Sequence, residues 1–250
     1  MKLGKFFGID VTVHWSILIA LAWFSLRGFF GPPLISFIIT MILFAIVLMH
    51  EFGHALMAKA VGYRADKINL NVMGGIAFVD DEKKPENIKW WKVFLMIAAG
   101  PAVNVAIAIV MTVLGPILGF DDLRGFMGGT ADRTTLATYG VVAHIWYFVY
   151  LINMSLLIFN MIPSYPLDGG QLLHSMLWGF LKLIRVKRAQ SVSGMACSAL
   201  GLFLALLLLA LGVIMVDFVL LFIAIFLSLV ALASFVKFKE EYNGKKILTN

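Results

Sequence analysis

Apolar residues fall along this chain in long blocks rather than at amphipathic spacing. Runs free of Asp, Glu, Lys and Arg cover residues 11–26, 29–49, 93–120, 134–167, 189–216 and 218–236. About 20 apolar residues carry a helix across the hydrocarbon core, so six runs predict six transmembrane helices. The first run is short and follows Lys2 and Lys5, as the core of a signal peptide would. Trp23, Phe24 and Arg27 make a poor cleavage context, so it reads as an uncleaved span. Residues 8–15 (GIDVTVHW) alternate partly with period two, which predicts a short strand ahead of the first helix.

Two segments depart from helix. Residues 68–80 (INLNVMGGIAFVD) alternate around Gly74 and Gly75. They predict a β-hairpin between the second and third spans, with the glycines in its turn. Residues 160–170 (NMIPSYPLDGG) hold two prolines and two glycines. A continuous helix cannot pass Pro163 and Pro166, so the fourth helix is broken there. Irregular backbone at membrane depth survives only when buried in protein or lining a wet cavity. Both segments are therefore candidates for a site. The fold class expected is membrane all-α: six transmembrane helices, a small membrane-associated β-hairpin after the second and a broken fourth. The expected organisation is a single polytopic domain over residues 1–250.

Composition sharpens this. Hydrophobic residues make up 61% and charged residues 14%, with mean hydropathy +0.95. Soluble domains hold roughly 45–50% and about 25%. A soluble enzyme is excluded, as is a disordered chain, which needs high charge and few apolar residues. One cysteine, Cys197, leaves no intrachain disulfide and no Cys-based zinc site. The net charge of +6 reads as basic loops rather than a nucleic-acid surface. With loops assigned to alternating sides, 17 Lys and Arg fall on one side and three (Arg27, Arg124, Arg133) on the other. That bias puts both termini in the cytoplasm, with a short cytoplasmic tail at 237–250.

The strongest motif is His50-Glu51-Phe52-Gly53-His54, an HExxH. Residues four apart share one helix face, so both histidines can grip one metal. Glu51 can then act as base toward an attacking water. The motif ends the charge-free run 29–49, and charged groups in a membrane helix cost about 2.5–3.5 kcal/mol each on insertion scales. A metal would compensate. The bland alternative, polar residues at the interface, does not explain the spacing. Catalytic zinc takes three protein ligands and leaves a fourth position open. Asp168 is the best third candidate, as the only acidic residue between Asp132 and Asp217. It could also be the N-cap of a helix over 169–182. His14, His144 and His174 are rival ligands, though each reads more simply as a hydrogen-bonded helix histidine.

These residues resemble the site-2 proteases, intramembrane zinc metalloproteases. Three blocks carry the likeness: residues 50–56 (HEFGHAL), 99–104 (AGPAVN) and 159–170 (FNMIPSYPLDGG). Gly74-Gly75-Ile76-Ala77 is similar to the family's glycine pair after the second span. The resemblance runs over nearly the whole chain and implies one Zn2+ per chain on His50, His54 and Asp168. It implies Glu51 as the catalytic base and Asn160 as a substrate or oxyanion donor. Asn71, Gly74, Gly75 and Ile76 become substrate-binding candidates, on a strand that holds an extended peptide. The implied partners are a transmembrane protein or peptide substrate and the bilayer, in a multi-pass cell-membrane protein with its site nearer the cytoplasm. The similar archaeal and bacterial subgroup often carries CBS domains after the last span; residues 237–250 are too few for one, and no PDZ domain is expected. A transporter, or a non-catalytic metal- or partner-binding homologue, is the alternative. Broken helices suit a transporter, but no paired repeat of the broken segment is present.

Overall fold

The computed structural model of the protein describes residues 1–71, 74–80, 89–118 and 133–244. Residues 72–73 within the expected hairpin, 81–88 of the basic connection, 119–132, which hold most of the expected outer loop, and 245–250 at the tail's end lie outside them. The chain is mostly helical with one small sheet. In order come β1 (Lys2–Phe6), β2 (Ile9–Val13), α1 (Ser16–Leu26), α2 (Pro33–Ala60), β3 (Arg64–Asn71) and β4 (Gly74–Asp80). Then follow α3 (Trp90–Ile117), α4 (Arg133–Asn160), α5 (Asp168–Leu183), α6 (Ala189–Met215) and α7 (Phe218–Tyr242).

Two compact units form: Met1–Glu82 with Ala99–Leu157, and Lys83–Ala98 with Ile158–Asn250. The first contains a four-stranded sheet in the order β1-β2-β3-β4. The sequence pattern predicts only part of it. The alternation over 8–15 becomes β2, whose Ile9, Val11 and Val13 are buried. Residues with the look of a basic leader become β1, a mostly exposed strand antiparallel to β2. Phe7 (φ +51°) and Gly8 (φ +75°) form the two-residue turn between them, the positive-φ pair that matches strand twist. Lys2 pairs with Asp10 at 2.8 Å, and its hydrogen bond holds the Asp10 carboxyl below the usual carboxylate range. β2 runs parallel to β3, with Val11 opposite Ile68, both fully buried. β3 and β4 are antiparallel, and here the expectation shifts: Gly74 and Gly75 pair with Asn71 and Leu70 inside the ladder rather than making the turn.

Among the described residues, five helices are long and apolar enough to cross a membrane: Pro33–Ala60, Trp90–Ile117, Gly140–Asn160, Ala189–Met215 and Leu220–Tyr242. The first expected span divides instead between β2 and α1, an 11-residue helix. At 1.5 Å per residue α1 is about 16 Å long, roughly half the hydrocarbon thickness. α2 starts with Pro33 in its first position, where a missing N–H costs nothing. It runs past the expected end at 49 to Ala60, so the HExxH is wholly helical. α4 departs from helix at Gly140 (φ 78°) and ends at Asn160, ahead of the proline-containing stretch.

In the second unit α5, α6 and α7 follow one another. The α6–α7 turn falls between the fifth and sixth apolar runs; the Leu220 N–H donates to Asp217 Oδ1 at 3.0 Å, capping α7. Lipid offers no hydrophobic drive for helix pairing, so small residues that allow close contact matter. Gly194 of α6 is one: a Cβ there would lie 2.5 Å or less from the Phe238 ring of α7. Gly194→Val should therefore destabilise the protein by about 1–3 kcal/mol through overpacking. Thermal unfolding in detergent checks this, and adding Phe238→Ala should recover part of the loss.

Candidate metal centre

α2 places His50 and His54 one turn apart, both buried. Their Nε2 atoms face each other at 3.0 Å, with ring centroids 4.7 Å apart at 84°. Glu51, between them in sequence, is partly buried. The geometry of a helix, one residue per 100°, puts Glu51 beside the histidine face rather than on it.

α3 supplies the surroundings of that face. A Cβ on Gly53 would lie 2.6 Å from the Ala99 carbonyl oxygen, and one on Gly100 would intrude into the His54 imidazole. The two glycines let α2 and α3 approach closely. One turn beyond Gly100, Asn104 presents Oδ1 to His50 Nδ1 at 2.5 Å. Asn104 in turn donates from Nδ2 to Asn153 Oδ1 at 2.9 Å, and Asn153 Nδ2 donates to the Asn104 carbonyl at 2.9 Å. Both asparagines are fully buried. Sequence reading placed Asn104 in a recognisable block without a role and passed over Asn153. The available signal was an amide in each of two apolar helices.

Asp168 is the first residue of α5 and is buried. It is not the N-cap: Leu167 holds that position, with no side-chain cap. The glycines after it have a packing reason. A Cβ on Gly169 would strike the Met161 and Ile162 backbone, and one on Gly170 the Ser164–Tyr165 backbone. The start of α5 thus lies tight against the irregular 161–165 segment, which includes a cis Tyr165–Pro166 bond at its end. Asn160, the last residue of α4, is partly buried.

Among the described residues, His50, His54 and Asp168 form a group able to hold a metal ion, each offering one ligand atom within 4.8 Å of the others. Two imidazoles and a carboxylate suit zinc, with bonds of about 2.0–2.2 Å and a fourth position left open. The rival histidines have other partners. His14 Nδ1 meets Ser16 Oγ at 3.0 Å. His144 Nε2 donates to the Phe30 carbonyl at 2.6 Å. His174 Nδ1 donates to Ser193 Oγ at 2.9 Å, whose own hydroxyl donates to the Gln190 carbonyl. Asn71 ends β3 and Gly74–Ile76 open β4, the strand at one edge of the sheet.

Residues 37–208 match the model of peptidase family M50. A Synechocystis sp. protein with a provisional zinc-metalloprotease name is 31% identical over 196 residues, covering 71% of this chain and 44% of its own. Zinc metalloprotease MJ0392 of Methanocaldococcus jannaschii is 25% identical over 229 residues, covering 90% and 58%. The chain thus spans about half the length of these relatives. The solved structure of the site-2 protease from Methanocaldococcus jannaschii has the same fold, with a TM-score of 0.62, 24% identity and 94% of both chains covered.

The tight fit at Gly100 can be tested. Gly100→Ala should push the His54 ring aside and weaken metal binding by about tenfold or more, in the range seen when the support of a ligand is lost. Metal content of the purified variant, with helicity followed by circular dichroism, measures this.

Proposed function

The chain belongs to peptidase family M50, and from that premise we propose that it is an intramembrane zinc metalloendopeptidase, cutting peptide bonds within or near transmembrane segments of membrane-anchored proteins. The observation that carries this reading is the HExxH on one helix with its two Nε2 atoms converging, grouped with Asp168. Simple metal storage has no use for the glutamate between the histidines.

In this reading His50, His54 and Asp168 hold zinc, which when bound supplies Lewis-acid polarisation of a carbonyl and lowers the pKa of water. Glu51 takes the proton from the attacking water and passes it to the leaving amine. Asn160 donates a hydrogen bond to the developing oxyanion; donors of this kind are worth about 2.7–4 kcal/mol in other enzymes. A helical substrate hides its carbonyls and must be extended before attack. β4 is an edge strand that lies against α2, which supports main-chain pairing of Gly74, Gly75 and Ile76 with an extended peptide; Asn71 ends the inner strand β3, opposite Gly74, and stays a candidate on the resemblance alone. The lysine and arginine bias supports cytoplasmic termini and a site nearer that side. Six spans, with the short α1 as the first, remain part of this reading.

Glu51→Gln should lower cleavage of membrane-anchored reporter peptides by about 10²–10⁴-fold while leaving one zinc per chain. His54→Ala and Asp168→Ala should both lose the zinc. Cleavage by Glu51→Gln at the normal rate, or zinc indifferent to Asp168→Ala, refutes the assignment. A proline at Phe78 in β4 should impair cleavage and spare the metal; unchanged cleavage would remove the strand-pairing role.

A further inference from the structure

We propose that Asn104 and Asn153 are positioning residues that lock His50 in one tautomer, with the proton on Nδ1 and the lone pair of Nε2 turned toward the metal position. This rests on the metal-site reading above, and hydrogen-bond direction within the buried network carries it. A neutral imidazole carries one proton, and the partner of one nitrogen decides which nitrogen holds it. An asparagine amide has an accepting end and a donating end, and only its network tells them apart.

Here the network has a fixed origin. The Asn104 backbone carbonyl can only accept, so Asn153 must turn its NH2 toward it. Oδ1 of Asn153 then faces Asn104, which must present its own NH2 there. That leaves Asn104 Oδ1 toward His50, and an oxygen acceptor at 2.5 Å requires the proton on Nδ1. Nε2 of His50 is left as the acceptor, facing Nε2 of His54 at 3.0 Å. Both amides are fully buried, where no bulk water can substitute for a lost partner. Remove Asn153 and the Asn104 amide is free to turn over. Its NH2 would then meet His50 Nδ1, moving the ring proton to Nε2 and capping the lone pair a metal needs.

The metal-free protein tests this first, by ¹⁵N chemical shifts of labelled histidine, with the His50 signals assigned by their loss in His50→Gln. The expected result is Nδ1–H in the wild type. A proton on Nε2, or a mixture of tautomers, overturns the proposal without any variant having to fold. In Asn153→Leu the expected result is a mixed or reversed tautomer and zinc affinity weakened by about 10–100-fold in chelator competition. Asn104→Leu should do the same, and Asn104→Asp, which keeps an acceptor toward Nδ1, should recover part of the affinity. Unaltered tautomer and affinity in folded Asn153→Leu would also overturn it. Failure of the metal reading looks different: the wild type would take up no zinc, while the His50 tautomer still reports on the asparagines.

Discussion

Two imidazoles in a mostly apolar, membrane-length helix set the conditions for the rest of the first unit. Polar groups in such a helix need partners, because lipid offers none. His50 finds its partner in Asn104, but an amide in α3 raises the same demand again. Asn153 answers it from α4 and creates a third demand of its own. The sequence of demands closes only at the Asn104 carbonyl. A backbone oxygen has two lone pairs, so it can serve its helix and accept once more. Three helices are thereby tied together by polar contacts that run in one direction and end on the main chain.

Such contacts need backbones close together, and small residues provide that. Gly53 and Gly100 remove the side chains that would hold α2 away from α3 or push His54 out of position. The same device recurs in the second unit, where Gly169 and Gly170 let the start of α5 lie against the 161–165 backbone. Glycine weakens a helix interior by about 0.5–1 kcal/mol relative to alanine. At these sites a methyl group would cost more, because what it meets is backbone or a ring with no room to move. The glycines next to His54 and Asp168 are therefore part of how these side chains are held.

Much of this was legible in the sequence, unevenly. The HExxH was readable because its spacing is a local property of one helix, and Asp168 because an acidic residue is rare within the apolar runs. The helix end at Asn160 was marked by proline and glycine, and the one near Asp217 by the single charge that separates two apolar runs. What escaped depends on pairing between distant segments. β1 is exposed and basic, and nothing local distinguishes Lys2–Phe6 from a leader; only the partner strand β2 makes it a strand. Gly74 and Gly75 looked like a turn, since glycine is the usual turn residue, yet the register puts them in the ladder. Asn153 carries no motif at all. Its role exists only because Asn104 stands opposite it.

The lengths of these elements place the chemistry. His50 and His54 lie 17 and 21 residues beyond Pro33 in α2, about 26 and 32 Å along the helix. The hydrocarbon core is about 30 Å thick. A helix that enters at Pro33 thus reaches the far boundary of the core at the metal-binding motif and continues to Ala60 beyond it. Open sheet edges do not survive in the hydrocarbon itself, and this sheet has two edges, with Lys2, Lys5, Asp10, Arg64, Asp66 and Lys67 on its strands. It belongs at the same boundary, and α2 lies against β3 and β4 there. An extended peptide is intolerable at mid-bilayer, where its amides have no partners, and unremarkable where water and a strand edge can both take its hydrogen bonds. In the proposed function, a helix of this length, with its histidines 17 and 21 residues beyond Pro33, would bring the metal-binding group to the level at which a membrane segment can be unwound.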